Sequence, residues 1–247
     1  MIKKIIILYP ILTLFIFTSC SDNRDQKKVP IKDVTIKMVT HGQATDPFWS
    51  VVSNGARDAA ESLGVNFYYQ SPQSFDMITM SQIIDAVVST NPDGLIVSVP
   101  DLSALKKSIT AASKKGIPII VINSGSDIME EVEILTYVGQ SEYEAGMKAA
   151  EELIKYNITT ALCVNHEIGN ISLDQREKGF RKVLREKNIA VKTIPIDASD
   201  PSETRETIRA YLSTNNTVDG ILTLGPLGAL PIMNLLKDID KKNNIKL

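Results

Sequence analysis

From residue 34 onward, short apolar runs typical of β-strands alternate with longer amphipathic stretches typical of α-helices. The strand-like runs lie at 34–40, 65–70, 94–99 and 117–122, and the helix-like stretches lie at 48–63, 76–90 and 102–115. Runs 94–99 and 117–122 are almost continuously apolar, as expected for strands that are buried on both faces. This alternation predicts an α/β fold in which helices cover parallel sheets.

The alternation then repeats at an offset of 126 residues, most clearly where PDGLIV at 92–97 corresponds to VDGILT at 218–223. The further corresponding segments are strands at 160–166 and 191–196 and helices at 174–189 and 203–216. A repeat of this kind predicts two Rossmann-like lobes with parallel sheets, which we place at 34–138 and 139–247. We expect the first hinge crossing near residues 137–140.

The end of the sequence bears on the second lobe. The strand-like run 117–122 predicts a partner at 243–248, and the sequence reaches this place only at its last residues. We therefore expect the second lobe to be incomplete and the chain to be truncated at its C-terminus.

The first 20 residues have the pattern of an export signal. Two lysines precede an apolar run at 5–17, which is too short to span a bilayer, and small residues stand directly before Cys20. This arrangement resembles a bacterial lipobox and predicts a lipoprotein signal peptide at 1–20 with lipid on Cys20. The alternative is an ordinary cleaved signal with an incidental cysteine. The polar segment 21–33 suits a flexible tether, and in either case the protein is expected in the periplasm or at the cell surface.

Composition and motifs exclude several classes of function. The chain has 27 basic and 29 acidic residues, so nothing in its charge attracts nucleic acid. It has two cysteines, and Cys163 lies in the apolar run 159–164, which predicts a buried core residue. No glycine-rich nucleotide loop or G-x-S-x-G motif occurs, and no second histidine follows His166 at metal-ligand spacing. We therefore expect no cofactor, no metal and no enzymatic activity.

Short polar residues and two adjacent aromatic residues follow the predicted strands. In open α/β sheets, ligands bind beyond the carboxyl ends of the strands. The relevant segments are HGQATDPFW, SVPD, INSGSD and VNHEIGN. A sugar ring needs hydrogen-bonding groups around an aromatic surface, and these segments supply both. We expect His166, at the end of its strand, to hydrogen-bond a ligand, and the alternative is a surface histidine.

Three of these motifs resemble those of ribose- and galactose-type binding proteins. DPFW at 46–49 resembles their NPFF-type motif, IPIIVINSGSD at 117–127 resembles their fourth strand, and REKGF at 176–180 is similar to their R-x-x-G-F helix. The likeness runs in order from residue 34 to residue 247. It implies a type I periplasmic sugar-binding protein that holds a monosaccharide or related polyol between two lobes.

The resemblance also implies roles for individual residues. Phe48 and Trp49 would clamp the sugar, and the residues that bind its hydroxyls would be Asp46, Ser98 and Asn123 from the first lobe and Arg176 from the second. Alternatively, the two rings anchor their helix to the sheet, Asp46 only caps it, and Arg176 is a solvated helix residue.

Two departures from the family's pattern concern the ligand. Asn123-Ser124 stands where the family often has Asp-Arg, and Gly225-Pro226 stands where it has an Asn-Asp pair. Losing those hydrogen-bonding groups argues against assuming ribose or galactose.

By the same resemblance, the partner is the permease of an ABC importer and the protein is a monomer held to the membrane by its lipid. The alternative output is a membrane kinase or chemoreceptor that senses the closed form. An exported sugar-modifying enzyme would need convergent acid–base residues, which we do not find. A LacI-type repressor would need DNA-binding helices where this chain has an export signal.

Overall fold

The structure, a computed structural model, describes residues 31–43, 46–239 and 245–247. The predicted signal peptide, Cys20 and most of the predicted tether therefore lie outside the described residues. Residues Ile31–Asp33 form a short 3-10 helix before the first strand. Over the described ranges, none of the helices combines the length and the apolar character needed to cross a bilayer.

The first sheet has five parallel strands in the order β2-β1-β3-β4-β5. The strands are β1 (Thr35–Val39), β2 (Asn66–Gln70), β3 (Gly94–Val97), β4 (Ile119–Ile122) and β5 (Thr136–Val138). The helices connecting them are α1 (Pro47–Leu63), α2 (Met77–Ser89) and α3 (Leu102–Lys114), with a 3-10 helix at Ser126–Glu130 before β5.

The second sheet repeats this plan with parallel strands in the order β7-β6-β8. Its elements are α4 (Glu142–Ile154), β6 (Thr160–Asn165), α5 (Ile171–Glu186), β7 (Ala190–Pro195), α6 (Pro201–Thr214), β8 (Gly220–Thr223) and α7 (Pro226–Ile239). Lys246 forms a parallel bridge with Gly220 of β8, in the place where the repeat predicts the next strand. The prediction of two Rossmann-like lobes with parallel sheets is confirmed.

An aspartate ties the central strands together in each lobe. Asp93, just before β3, accepts a hydrogen bond from Thr35 N at the start of β1, at 2.8 Å. Asp219, just before β8, accepts hydrogen bonds from Thr159 N at 2.8 Å and Thr160 N at 2.9 Å, at the start of β6. Each carboxylate therefore fixes the register of one central strand pair, and the two aspartates are related by the sequence repeat.

The helix boundaries follow from local capping. Asp46 caps α1, and Asp200 caps α6 by accepting hydrogen bonds from Ser202 N and Glu203 N. The predicted helix 174–189 begins earlier, at Ile171, because the Asn170 side chain accepts from Ser172 N at 3.0 Å. That prediction was wrong by one turn at its start.

Buried apolar side chains from the sheets and helices form the core of each lobe. In the first lobe, Ile84 of α2 and Leu105 of α3 are fully buried against β3 and β4. In the second lobe, Leu162 of β6 packs with Ile208 of α6 and with α7. Cys163 is fully buried, as predicted. Burial, with a smaller contribution from the negative charge of Glu177, raises the pKa of its thiol to about 12.

Candidate functional site

A cavity of about 80 Å³ lies between the carboxyl ends of the two sheets. Both lobes line it, through the residues His41, Asp46, Phe48, Trp49, Asn123, Ser124, Glu142, His166, Glu167, Asn170, Ser172, Leu173, Arg176, Leu224, Gly225 and Pro226. Six of the seven residues predicted to bind ligand are in this set, and the seventh, Ser98, is not. We call this space the interlobe cavity.

A larger cleft of about 690 Å³ opens beside the hinge, between the segments 125–131 and 137–143. It contains none of the residues predicted to bind ligand. We take the interlobe cavity as the candidate site for two reasons. It lies at the carboxyl ends of the strands, where α/β sheets bind ligands, and its walls contain both the polar strand-end segments and the aromatic rings.

Asp46 both caps a helix and lines the cavity. It is 3% exposed, and one carboxylate oxygen accepts a hydrogen bond from Phe48 N at 2.8 Å. Burial raises the pKa of this carboxyl, and the hydrogen bond from Phe48 partly opposes the shift. The position is therefore compatible with both of the roles considered for it.

Phe48 and Trp49 form an aromatic wall at the start of α1. Their ring centroids are 5.0 Å apart with planes at 86°, an edge-to-face arrangement. Trp49 is 2% exposed and Phe48 is 41% exposed, so Phe48 is the more accessible ring. The Trp49 ring lies so close to Gly42 that a Cβ there would be 1.6 Å from Trp49 Cδ1, and only glycine fits at that position.

Ser98 lies behind the cavity wall and holds His41. Its Oγ accepts from His41 N at 3.0 Å and lies 2.8 Å from His41 Nδ1. The imidazole also packs against Trp49 in a T-shaped arrangement, with ring centroids 5.0 Å apart. Burial, followed by the nearby His166, lowers the pKa of His41 to about 3, so this imidazole is neutral at neutral pH. Ser98 is thus placed to position His41, whereas its predicted contact with ligand stays a prediction.

Asn123 stands at the end of β4 in the left-handed backbone region, with φ of 61°. Ser124 Oγ donates to its Oδ1 at 2.9 Å, and Tyr137 donates from its hydroxyl to the Asn123 carbonyl at 2.6 Å. The first bond holds the Asn123 side chain and the second its backbone, so both keep this residue in the first-lobe wall of the cavity.

Glu167 and Asn170 of the second lobe meet His41 of the first. Asn170 Nδ2 donates to Glu167 Oε2 at 2.7 Å and lies 3.4 Å from His41 Nε2, while Glu167 Oε2 is 3.6 Å from the same nitrogen. Glu167 is 8% exposed. Burial raises the pKa of Glu167 to about 7, the Asn170 bond opposes this shift, and the negative charge of Asp46 adds to it.

The two lobes also meet through their backbones. Ile171 N, in the first turn of α5, donates to the carbonyl of Pro100 at 3.0 Å. Together with the contacts of His41, this bond holds the lobes close to each other around the cavity.

Arg176 is bound within the second lobe. Its Nε and Nη2 each lie 2.5 Å from Glu142 Oε2, and its Nη1 donates to the carbonyl of Leu224 at 2.8 Å. The helices carrying the pair, α4 and α5, cross with almost no space between them. An added Cβ would lie 1.8 Å from Arg176 O at Gly146, and 1.9 Å from a backbone carbonyl at Gly179. The charge of Arg176 is therefore already compensated by a carboxylate.

His166 lines the second-lobe wall. Its Nδ1 is buried and has no hydrogen-bond partner among the residues that the structure describes. The ring lies against Gly225, where a Cβ would come 2.5 Å from His166 Cε1. Burial and the positive charge of Arg176 lower the pKa of His166 to about 4. A neutral imidazole with an unpaired ring nitrogen is suited to hydrogen-bond a ligand.

Sequence reasoning missed several residues of the cavity, chiefly His41, Glu142, Glu167 and Asn170. Three of these four lie in the strand-end segments that were singled out, so their position in the chain was a usable signal. Glu142 carries no such signal, since it reaches the cavity only through the crossing of α4 and α5.

The chain is similar to known solute-binding proteins. The family model described as a periplasmic binding protein domain matches residues 36–247. A xylose/arabinose-binding protein of Sulfolobus acidocaldarius is 23% identical over 204 residues, which are 78% of this chain and 50% of that protein. A ribose import binding protein of Bacillus subtilis is 23% identical over 60% of this chain and 48% of its own length. The chain spans about half the length of the curated relatives that it matches.

Solved structures show the same similarity. A carbohydrate transporter protein from Acidothermus cellulolyticus, in complex with myo-inositol, is 31% identical with a TM-score of 0.79, over 87% of this chain and 72% of that one. A periplasmic sugar-binding protein from Legionella pneumophila is 25% identical with a TM-score of 0.80, over 85% and 78% of the two chains. A LacI-type regulator from Bacteroides fragilis, at 19% identity and a TM-score of 0.74, shares the fold alone.

Proposed function

The chain belongs to the periplasmic binding protein domain family, and we propose that it captures a monosaccharide or related polyol between its lobes and delivers it to an ABC importer. The observation that carries this proposal is the interlobe cavity, where neutral histidines, amides and carboxylates surround the rings of Phe48 and Trp49. A polyol presents hydroxyl groups and an apolar C–H face, and this wall offers partners for both.

The size of the cavity supports a mechanism of lobe movement. Ligand sites in proteins usually measure about 300 Å³ or more, whereas this cavity measures about 80 Å³. A sugar therefore requires the lobes to separate before it enters, and the hinge expected near residues 137–140 is the place for this motion. Contacts from both lobes then favour the closed form, which the membrane partner recognises. Binding and closure make and break no covalent bond.

The remaining parts of the proposal concern location and assembly. We propose residues 1–20 as the signal peptide, Cys20 as the lipid anchor and the protein as a monomer, with lobes at 34–138 and 139–247. A Cys20→Ser chain is then expected in the soluble fraction of cells in which the unaltered chain sediments with membranes.

Calorimetric titration and thermal melting of the full chain test the binding function. The ligands are D-xylose, L-arabinose, D-ribose, D-galactose and myo-inositol. A ligand at a hundred times its Kd adds about 2.7 kcal/mol, which raises the melting midpoint of a chain of this size by several degrees.

Two matched variants locate the site. Phe48→Ala is expected to weaken binding at least tenfold, whereas Tyr68→Ala, which removes an exposed aromatic ring of β2 outside the cavity, leaves binding unchanged. Absence of binding by these compounds and by their amine-bearing analogues, or equal losses in the two variants, would contradict the proposal.

A further inference from the structure

The interlobe cavity carries two carboxylates that have no positively charged partner among the described residues that line it. Asp46 comes from the first lobe and Glu167 from the second, and both are more than nine-tenths buried. Both side chains line the same cavity, and the negative charge of Asp46 adds to the raised pKa of Glu167. A closed cleft thus brings two acidic groups together from opposite sides.

The charges of the other lining residues do not compensate this pair. Of the lining residues within the described ranges, Arg176 is the one arginine or lysine, and it is bound through two nitrogens to Glu142. The nearest histidine, His41, lies 3.6 Å from Glu167, but the burial that lowers its pKa to about 3 keeps it neutral. His166 is neutral for the same reason. Burial keeps a proton on Glu167 below about pH 7, so the cavity gains its second negative charge only when Glu167 loses that proton.

Buried charges in proteins are normally paired, because an isolated one loses its hydration without compensation. We propose that the ligand supplies the missing positive charge: it is an amine-bearing member of the polyol class, such as an amino sugar or amino polyol, and its ammonium group binds Asp46 and Glu167. This inference rests on the proposed sugar-binding function and deepens it.

The lining suits an ammonium group in two further ways. An ammonium has three hydrogen-bond donors and no acceptor, which matches carboxylates that accept only. Aromatic rings such as those of Phe48 and Trp49 also attract cations through the negative faces of their π-systems. Asn170, which donates to Glu167 Oε2, acts as a positioning residue for that carboxylate. Sugar acids and sugar phosphates should not bind, because their negative charge is repelled by the two carboxylates of the cavity.

Calorimetric titration of the full chain at pH 7 tests the inference with pairs of compounds that differ only in the amine. The pairs are D-glucosamine and D-glucose, D-galactosamine and D-galactose, and D-glucamine and D-sorbitol, with N-acetyl-D-glucosamine as a bulky uncharged control. We expect at least one amine to bind tenfold or more tightly than its parent. If a parent or another neutral sugar binds as tightly as its amine, the inference fails while the proposed function stands. If no compound of either panel binds, both fail.

Variants test whether the two carboxylates cause the preference for the amine over its neutral parent. Glu167→Gln keeps the size and the bond from Asn170, and it is expected to reduce the preference for the amine to threefold or less. Asp46→Asn, which retains a capping oxygen, is expected to act in the same direction and serves as a second probe should the first variant not fold. Glu186→Gln removes a carboxylate from the exposed part of α5 and should leave the preference unchanged.

The pH dependence gives an independent measurement. The affinity for D-glucamine, whose alkyl amine stays protonated, should rise between pH 5.5 and pH 7 as Glu167 ionises, and this rise should vanish in Glu167→Gln. An affinity that falls over this range would mean that a proton, rather than a ligand cation, neutralises Glu167, and would overturn the inference.

Discussion

The burial of the Glu167 carboxyl predicts how the free energy of unfolding depends on pH, and this prediction can be tested without a ligand. Its pKa is about 7 in the folded protein, against an ordinary value of 4.5, so the folded state binds more protons than the unfolded state between these values. Its contribution to stability is fully present below pH 4.5 and is lost as pH rises to about 7. The interval of about 2.5 pH units corresponds to about 3 kcal/mol at most, at 1.36 kcal/mol per unit.

The pH dependence of the wild-type free energy of unfolding combines the contribution of Glu167 with those of two histidines. The pKa values of His41 and His166 are lowered to about 3 and about 4 from an ordinary 6.5, so both histidines add stability as pH rises towards 6.5. Glu167→Gln leaves the histidines in place while it removes the carboxyl. The difference in free energy of unfolding between the wild type and Glu167→Gln therefore isolates Glu167.

Denaturant unfolding measured at several pH values between 4.5 and 7.5 gives this difference. Trp49 is the sole tryptophan of the chain and lies in the cavity wall beside His41, so its fluorescence reports the unfolding of this region. We expect the wild type to lose up to about 3 kcal/mol relative to Glu167→Gln across the range. Glu186→Gln, which removes an exposed carboxyl at the end of α5, is the matched control. A constant difference between the wild type and Glu167→Gln would refute the argument that burial holds the proton of Glu167.

Two other predictions concern the second lobe. Gly179→Ala places a Cβ 1.9 Å from Tyr143 O and should destabilise the chain by about 1–3 kcal/mol in thermal melts. The control Gly55→Ala, on the open face of α1, should be neutral or slightly stabilising. Equal effects of the two variants would mean that α4 and α5 are not in contact where they cross. Cys163, with its pKa raised to about 12 by burial, should react with a thiol reagent only after unfolding when measured in a Cys20→Ser chain, and rapid reaction of the folded protein would contradict its place in the core.

The fold was largely predictable because burial on both faces of a parallel sheet leaves long apolar runs in the sequence. The elements that escaped prediction lack this signal. Strand β5 has three residues, two of them exposed, and is recognisable only through its pairing with β4. Helix α7 carries Pro231 in its interior, which breaks the usual helix pattern.

The candidate site was predictable as a region and less so as a set of contacts. Strand ends identify which segments line a cleft, and this placed the aromatic pair, Asn123 and His166 in the cavity wall. The partners of Arg176 could not be predicted, because they depend on a helix crossing between α4 and α5. The meeting of His41 with Glu167 depends on how two lobes face each other, and no local pattern encodes that arrangement.

The paired aspartates that fix strand register also bear on the order of folding. The bond from Thr35 to Asp93 spans 58 residues and the bond from Thr160 to Asp219 spans 59, so each lobe sets its central strands without help from the other. Contacts that are close along the chain form sooner than distant ones. The five described strands of the first sheet end by Val138, so this sheet can assemble while the second lobe is still being synthesised. The cleft would then be the last part of the molecule to form.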